Sequence, residues 1–287
     1  MISASMIVKN EEAMLGACLA SIKGLDEIVI LDTGSTDKTV EIAKKYTSKV
    51  YADEYKWNDD FAEARNLSLS KCHGDWIFII DADEKLISPV DQLYEDVSKH
   101  SDEHIININV NGNKTSMLAP RLFKNNTGIV WKGAIHNYLS VTGNAVGKSV
   151  IEYGYSPTHK KDPDRTIRIL RKELEKNPKL VRERYYLARE HYYRKNWTAA
   201  IAWFDSYLSV AWWAPEWADA WVLKAVCHKN IGQFNQAKDC CLEAIKINAD
   251  FKQALKLMAE LSGPKNKKKW LDYAKMSNNN DVLFIRA

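Results

Sequence analysis

The sequence predicts an α/β domain on a parallel sheet, followed by an all-α repeat domain, and three observations carry that prediction. A strand, a loop and a helix recur three times within the first 80 or so residues, which is the pattern of a parallel sheet. Two of those strands stop abruptly on aspartates, and in open α/β sheets ligands collect at the carboxyl ends of strands. Beyond Asp164 no strand pattern survives, and helical periodicity runs to near Met276.

Residues 2–8 read as the first strand, leading through Lys9-Asn10-Glu11-Glu12 into a helix with Leu15, Cys18, Leu19 and Ile22 on one face. A second strand over 27–31 ends in Asp32-Thr33-Gly34-Ser35-Thr36-Asp37 and enters a helical pattern of Val40, Ile42, Ala43 and Tyr46. A third apolar run, 76–80, ends on Asp81-Ala82-Asp83. Ser88 is placed to cap a helix reaching about His100, with Pro89 in its first turn and Asp91 adding a favourable charge. An alternating strand follows over 105–110, then shorter β pieces around 121–123 and 129–131.

With 287 residues, 46% hydrophobic and 10% aromatic, the chain supports one sizeable domain and a smaller one, and disorder is excluded as the default. The net charge of +4 is a mild basic excess, ordinary for a cytoplasmic protein. Five cysteines without Cys-x-x-Cys spacing suggest neither a disulfide framework nor a zinc site, so a reducing compartment is expected. Polar Ser3, Ser5 and Lys9 interrupt the first apolar stretch, and no run of 18 uncharged apolar residues occurs, so neither a signal peptide nor a membrane span is expected.

Asp162-Pro163-Asp164 marks the expected boundary, dividing the chain into domains 1–162 and 163–287. In the second, Ala188, Trp197, Ala200 and Phe204 recur as Ala225, Phe234, Ala237 and Cys241, each 37 residues later. Small alanines let paired helices approach while the aromatic fills the gap, and Gly232 suits the turn between them. The pattern resembles the tetratricopeptide repeat, whose period of about 34 places an insertion of about three residues near Trp212-Trp213-Ala214-Pro215. Residues 165–178 resemble a leading half-repeat and 252–276 a degenerate closing one. The aromatics between Tyr185 and Trp221 exceed what two repeat cores need, so some are expected at the surface or against a partner.

Asp81 and Asp83, spaced i, i+2 at a strand end, suit a shared divalent cation and a sugar hydroxyl. Four ordered motifs extend this: Met6-Ile7-Val8-Lys9-Asn10-Glu11-Glu12, Leu31-Asp32-Thr33-Gly34-Ser35-Thr36-Asp37, Asp60-Phe61-Ala62-Glu63-Ala64-Arg65-Asn66 and Asp81-Ala82-Asp83-Glu84. Together they resemble glycosyltransferase family 2, in its bacterial and phage members, over about residues 1–160. The resemblance implies a GT-A nucleotide-sugar-binding domain with a mixed, mostly parallel sheet, a UDP-sugar donor, Mn2+ or Mg2+, and inversion at the anomeric carbon.

By that resemblance Asp83 holds the metal, while Asp81 reaches the ribose or shares the ion. Asp32 is placed to accept a hydrogen bond from the uracil imide. Lys9, Asn10 and Glu11 line the first loop, where Glu11 meets ribose or base or is simply a first-turn helix acid. Arg65 is the expected phosphate contact, with a surface salt bridge as its alternative. Similar proteins often read Trp-x-Gly-x-x-His-Glu where this chain reads Trp131 to Asn137, and Asn137 cannot act as a base. Glu84, His136 and Asp162 are therefore the candidates for the general base. His159 is expected as a third metal ligand, against a lone surface histidine.

The expected function is a metal-dependent inverting glycosyltransferase, with glucose the preferred sugar. The acceptor is a surface glycan, a protein or peptide laid along the repeats, or modified DNA met by the basic run Lys265-Asn266-Lys267-Lys268-Lys269. A homodimer through the helical domain is possible. The alternative function is a non-catalytic scaffold whose repeats bind a partner beside a degenerate sugar domain.

Overall fold

The computed structural model describes residues 1–112, 116–157 and 162–277. It divides into two compact units, Met1–Pro163 and Asp164–Ala287.

The first unit opens with β1 (Ile2–Val8), α1 (Leu15–Ser21), β2 (Glu27–Asp32), α2 (Thr39–Ala43) and the short β3 (Val50–Tyr51). It continues through α3 (Phe61–Leu69), β4 (Trp76–Ile79), β5 (Glu84–Leu86), α4 (Val90–Lys99), β6 (Ile105–Asn111), β7 (Ser116–Lys124), β8 (Trp131–Lys132), β9 (Tyr138–Leu139) and β10 (Ala145–Tyr153). The large sheet has the order β3-β2-β1-β4-β7-β6-β10-β5, and β8 and β9 form a separate hairpin. The first four strands in that order run parallel. Then β7 is antiparallel to both β4 and β6, β10 is parallel to β6, and β5 is antiparallel to β10. This is the expected GT-A arrangement, a mixed sheet whose parallel half carries the acidic strand ends.

Both faces of the parallel half are covered, which is why its strands read as unbroken apolar runs. Ile2, Ala4, Met6 and Val8 pack with Leu15, Leu19 and Ile22 of the first helix, while Val29, Ile77, Ile79 and Phe123 form a core on the other side. The antiparallel half departs from the sequence expectation. β7 is nine residues long, and neither β5 nor β10 was expected. No helix follows Asp83 directly. Helix α4 starts at Val90 with Pro89 as its cap residue and no side-chain cap, because the Ser88 hydroxyl instead accepts the Val150 N–H at 3.1 Å. The expected Ser88 cap is thus replaced by a tie to β10.

The second unit is helical throughout its described residues: α5 (Arg165–Lys176), α6 (Arg182–Tyr193), α7 (Trp197–Leu208), α8 (Ala214–Asn230), α9 (Phe234–Ile247), α10 (Lys252–Leu261) and α11 (Pro264–Met276). The 37-residue repeat maps onto two helix pairs: Ala188, Ala200 and Phe204 are buried in the first, and Ala225, Ala237 and Cys241 in the second. Their turns correspond as well. Lys195 (φ +59°) and Gly232 (φ +78°) stand 37 residues apart in the left-handed region, although only one is a glycine. The extra length between the copies falls before and within α8, which has 17 residues against 12 in α6. The lysine run 265–269 lies on the exposed first turns of α11.

The aromatic excess divides in two. Tyr185 is fully buried and its hydroxyl donates to Asp219 Oδ2 at 2.6 Å, with the Arg189 guanidinium 5.5 Å from the Tyr185, Tyr186 and Tyr193 rings. Trp212 and Trp213 stay at the surface, 77% and 45% exposed. Among the described residues, no helix is long and apolar enough to cross a membrane.

Candidate active site

Asp32 closes β2 with its carboxylate turned back onto the loop that follows. Oδ2 accepts the N–H groups of Gly34 (3.0 Å) and Ser35 (2.9 Å), an Asx turn that shapes the loop. Oδ1 is buried and has no hydrogen-bond partner, in a side chain only 4% exposed. A buried carboxylate oxygen left without a donor costs free energy, and an N–H from a ligand would satisfy it.

The neighbouring first loop is locked to the same segment. Asn10 (φ +56°) accepts the Thr36 N–H at 2.7 Å and donates its own N–H to Ser35 Oγ, while the Glu11 N–H donates to Thr39 Oγ1. Asn10 therefore acts as loop scaffold. Glu11 Oε2 accepts the Ser156 hydroxyl at 2.7 Å, and Lys9 is exposed with its ammonium 5.8 Å from the Trp57 ring.

Beyond β4, the Asp81–Glu84 loop is held from four directions. The Asp81 N–H donates to Glu84 Oε2 (2.9 Å), and the Cys18 thiol donates to the Asp81 carbonyl (3.3 Å). Burial, together with Glu84, Asp81 and Asp83 nearby, pushes the Cys18 thiol far up, so it stays protonated. The Gly154 N–H donates to the Asp83 carbonyl at 2.7 Å, so close that a Cβ on Gly154 would lie 2.2 Å from that oxygen. The Ser156 N–H reaches Asp83 Oδ2 at 3.2 Å.

Two arginines neutralise part of this acidity. Arg65 donates to Asp81 Oδ1 at 2.8 Å and stacks 5.0 Å from the Trp131 ring. Arg121 of β7 sits 3.8 Å from Asp81 Oδ2 and pairs with Glu84. Sequence reasoning missed Arg121, and it did not anticipate that Arg65 would be committed to Asp81.

Among the base candidates, Glu84 is enclosed. It is 1% exposed, both of its oxygens are engaged, and burial pushes it up to about 7 against the opposing pull of Arg121. A carboxylate with no open face cannot meet an acceptor hydroxyl, so Glu84 acts as a positioning group for the loop. His136 is exposed at the tip of the β8–β9 hairpin with φ +48°. That hairpin is fastened to α3, where the Asn66 side chain pairs with both the N–H and the carbonyl of Trp131 and the Phe61 N–H donates to Ala134 O at 2.8 Å. Asp162 lies half-buried near the end of the first unit. His159 falls outside the described residues.

No group of three or more His, Cys, Asp or Glu forms a metal cage among the described residues. Asp83 and Asp81 nevertheless fit a hard cation of the kind held by one or two carboxylates and completed by substrate phosphate oxygens. Asp81 is ion-paired with Arg65, and Asp83 accepts the Ser156 N–H through Oδ2.

Residues 3–106 match the family model for glycosyl transferase family 2. A TPR repeat-containing protein of Synechococcus elongatus is 46% identical over 87 residues, 30% of this chain and 21% of that protein. The lipopolysaccharide core biosynthesis glycosyltransferase LpsC of Rhizobium meliloti is 36% identical over 36% of this chain and 38% of its own length. SunS, a prophage-derived glycosyltransferase of Bacillus subtilis, is 41% identical over 29% of this chain and 20% of its own. The chain spans less than half the length of these curated relatives. Among solved structures, residues 1–349 of S. aureus TarS in complex with UDP align at a TM-score of 0.46 and 14% identity, covering 85% of this chain and 90% of that one. Residues 3–106, which hold the acidic strand ends and the ordered motifs, therefore form a glycosyl transferase family 2 domain at the N-terminus of this chain.

Proposed function

We propose that the first unit moves a sugar from a uridine diphosphate sugar to an acceptor hydroxyl, with metal assistance and inversion at the anomeric carbon. The observation that carries this reading is the set of aspartates at the carboxyl ends of parallel strands, with Asp32 Oδ1 buried and without a donor while Asp81 and Asp83 lie past the end of β4. Asp32 Oδ1 takes the imide N–H of uracil, a contact that cytosine, lacking that N–H, cannot make. In this reading Glu11, on the adjoining loop, meets the ribose or the base. Asp83, seconded by Asp81, would hold Mn2+ or Mg2+, which supplies the charge that offsets the leaving diphosphate. The exposed His136 imidazole takes the proton of the acceptor hydroxyl as the bond to the sugar forms, and the half-buried Asp162 is the alternative base. Glucose is the first sugar to test, and glycan, peptide and modified-DNA hydroxyls form the acceptor panel.

A thermal-shift panel of nucleotide sugars with and without Mn2+ tests the donor, because a ligand at 100 times its Kd adds about 2.7 kcal/mol of stability. Stabilisation by uridine sugars that deepens with Mn2+ is expected. Stabilisation by guanosine or thymidine sugars alone would overturn the donor assignment. No response to any of them would favour the scaffold reading.

A further inference from the structure

Helix α11 carries five lysines and a single acid, Asp272, over Pro264–Met276. Its inner side is narrow: Ala274 is buried, and Trp270 packs on the core with Leu257 and Met258 of α10. Lys265, Lys267, Lys268 and Lys269 all fall in the first two turns and are exposed.

Two effects oppose that placement. The N-terminal end of a helix is the positive end of its dipole, so cations there are unfavourable. Lys265, Lys268 and Lys269 also stand at i, i+3 and i+4, the spacing at which like charges repel. Among the described residues none of the four lysines meets a carboxylate within ion-pair distance, and Asp272 is paired with Lys275 at 3.5 Å. Elsewhere in the same unit Lys224, Lys229 and Lys246 each have a carboxylate partner. The cluster therefore weakens its own helix and has no local counter-charge.

Apolar side chains are exposed among these cations. Leu271 follows Lys267 and Lys268 by one turn, Tyr273 lies 5.8 Å from the Lys269 ammonium, and Met276 is 75% exposed. We propose that α11 docks the protein on a membrane surface rich in anionic lipid, with its lysines among the headgroup phosphates and Leu271 and Met276 reaching the acyl boundary. Charge complementarity selects an anionic partner. The exposed aliphatic side chains select lipid over nucleic acid, because a phosphodiester backbone offers them no apolar contact. The helix also contains no arginine, the side chain suited to bidentate phosphate and base contacts, whereas lysine point charges suit a fluid layer of headgroups. The helix lies on the bilayer and does not span it. This surface is independent of the sugar-transfer site, and its test reads vesicle binding alone.

The experiment is co-sedimentation of the full chain with phosphatidylcholine vesicles prepared with and without phosphatidylglycerol. Binding to the anionic vesicles only, weakening as salt rises, is expected. Lys265→Gln, Lys268→Gln and Lys269→Gln together should weaken it by at least about tenfold. That variant should melt no lower than the wild type, since it relieves repulsion along the helix. Lys179→Gln, Lys238→Gln and Lys246→Gln together remove the same charge from the same unit and should change vesicle affinity by less than about twofold. Leu271→Ser with Met276→Ser should weaken binding by at least about threefold, through lost apolar burial. Equal weakening by the two lysine triples, equal binding to neutral vesicles, or a serine variant that binds like the wild type would each overturn the proposal. So would retention by duplex DNA without retention by anionic vesicles.

Discussion

Strand β2 begins on Glu27 and ends on Asp32, and these two carboxylates live under opposite conditions. Glu27 accepts the His73 N–H at 2.7 Å, lies 2.9 Å from His73 Nδ1, and is bonded to the Ser3 hydroxyl and the Lys49 ammonium. Burial alone would raise its pKa, but these donors outweigh burial and hold it at about 2. At the far end of the same sheet, Asp32 keeps an oxygen with no donor, and Glu84 is pushed up to about 7. At one end Glu27 is wholly spent on fastening loops together; at the other Glu84 is fastened as well, with both oxygens engaged, and Asp32 keeps one oxygen uncommitted. The buried oxygen without a donor, rather than residue type or burial, is what marks Asp32 as the carboxylate to test for a ligand.

Four substitutions probe that contrast. Asp83→Asn should lower sugar transfer by at least about a thousandfold, equivalent to about 4 kcal/mol of lost charge stabilisation, with an unchanged Tm. Near-normal turnover in added Mn2+ would move the metal elsewhere. Asp32→Ala should weaken UDP binding by about 1–3 kcal/mol in calorimetry, and unchanged affinity would detach Asp32 from the base. At the fastened end, Glu27→Gln should cost about 2 kcal/mol of stability at pH 7 in urea denaturation, with donor binding intact. The wild-type advantage is full above about pH 4.5, the unfolded value, and disappears as pH falls towards 2, because the folded-state pKa is depressed. Glu84→Gln should show the reverse sign. The folded-state pKa of Glu84 is raised, so the wild type loses ground to the variant, by about 2–3 kcal/mol, as pH rises from 4.5 through 7. Parallel pH profiles for the two variants would erase the distinction between the ends.

The fastened and the open ends were not equally legible. The strands 2–8, 27–31 and 76–80 announced themselves because strands covered on both faces are continuously apolar, and their terminal aspartates stood out against that background. β10 did not, because Gly147, Lys148 and Ser149 interrupt its pattern where the register shifts against β6. β7 hid behind Pro120, and Arg121 with it. The ion pairs that set the state of Asp81 and Glu84 thus come from a strand whose existence was only partly visible. No local spacing reveals that Arg121 lies beside Glu84, since 37 residues separate them. Asn66 was quoted within a motif, but its pairing with Trp131 depends on a hairpin 65 residues away. The paired-helix repeat was readable from its alanine spacing, because Ala188, Ala200, Ala225 and Ala237 are buried at the positions where the paired helices approach.

The contacts of Gly154 and Ser156 have a practical consequence for anyone wishing to shorten this protein. Both residues follow the last strand, yet they hold Asp83 by its carbonyl and its carboxylate and hold Glu11 by its Oε2. A chain stopped at Tyr153 would keep every strand of the sheet and should fold, while the two loops proposed to face the donor would lose their shared strap. Such a fragment should behave as a folded protein with poor nucleotide affinity, and one extended through Ser156 should regain it. The minimal working length is therefore set by a three-residue tail, not by the end of the secondary structure.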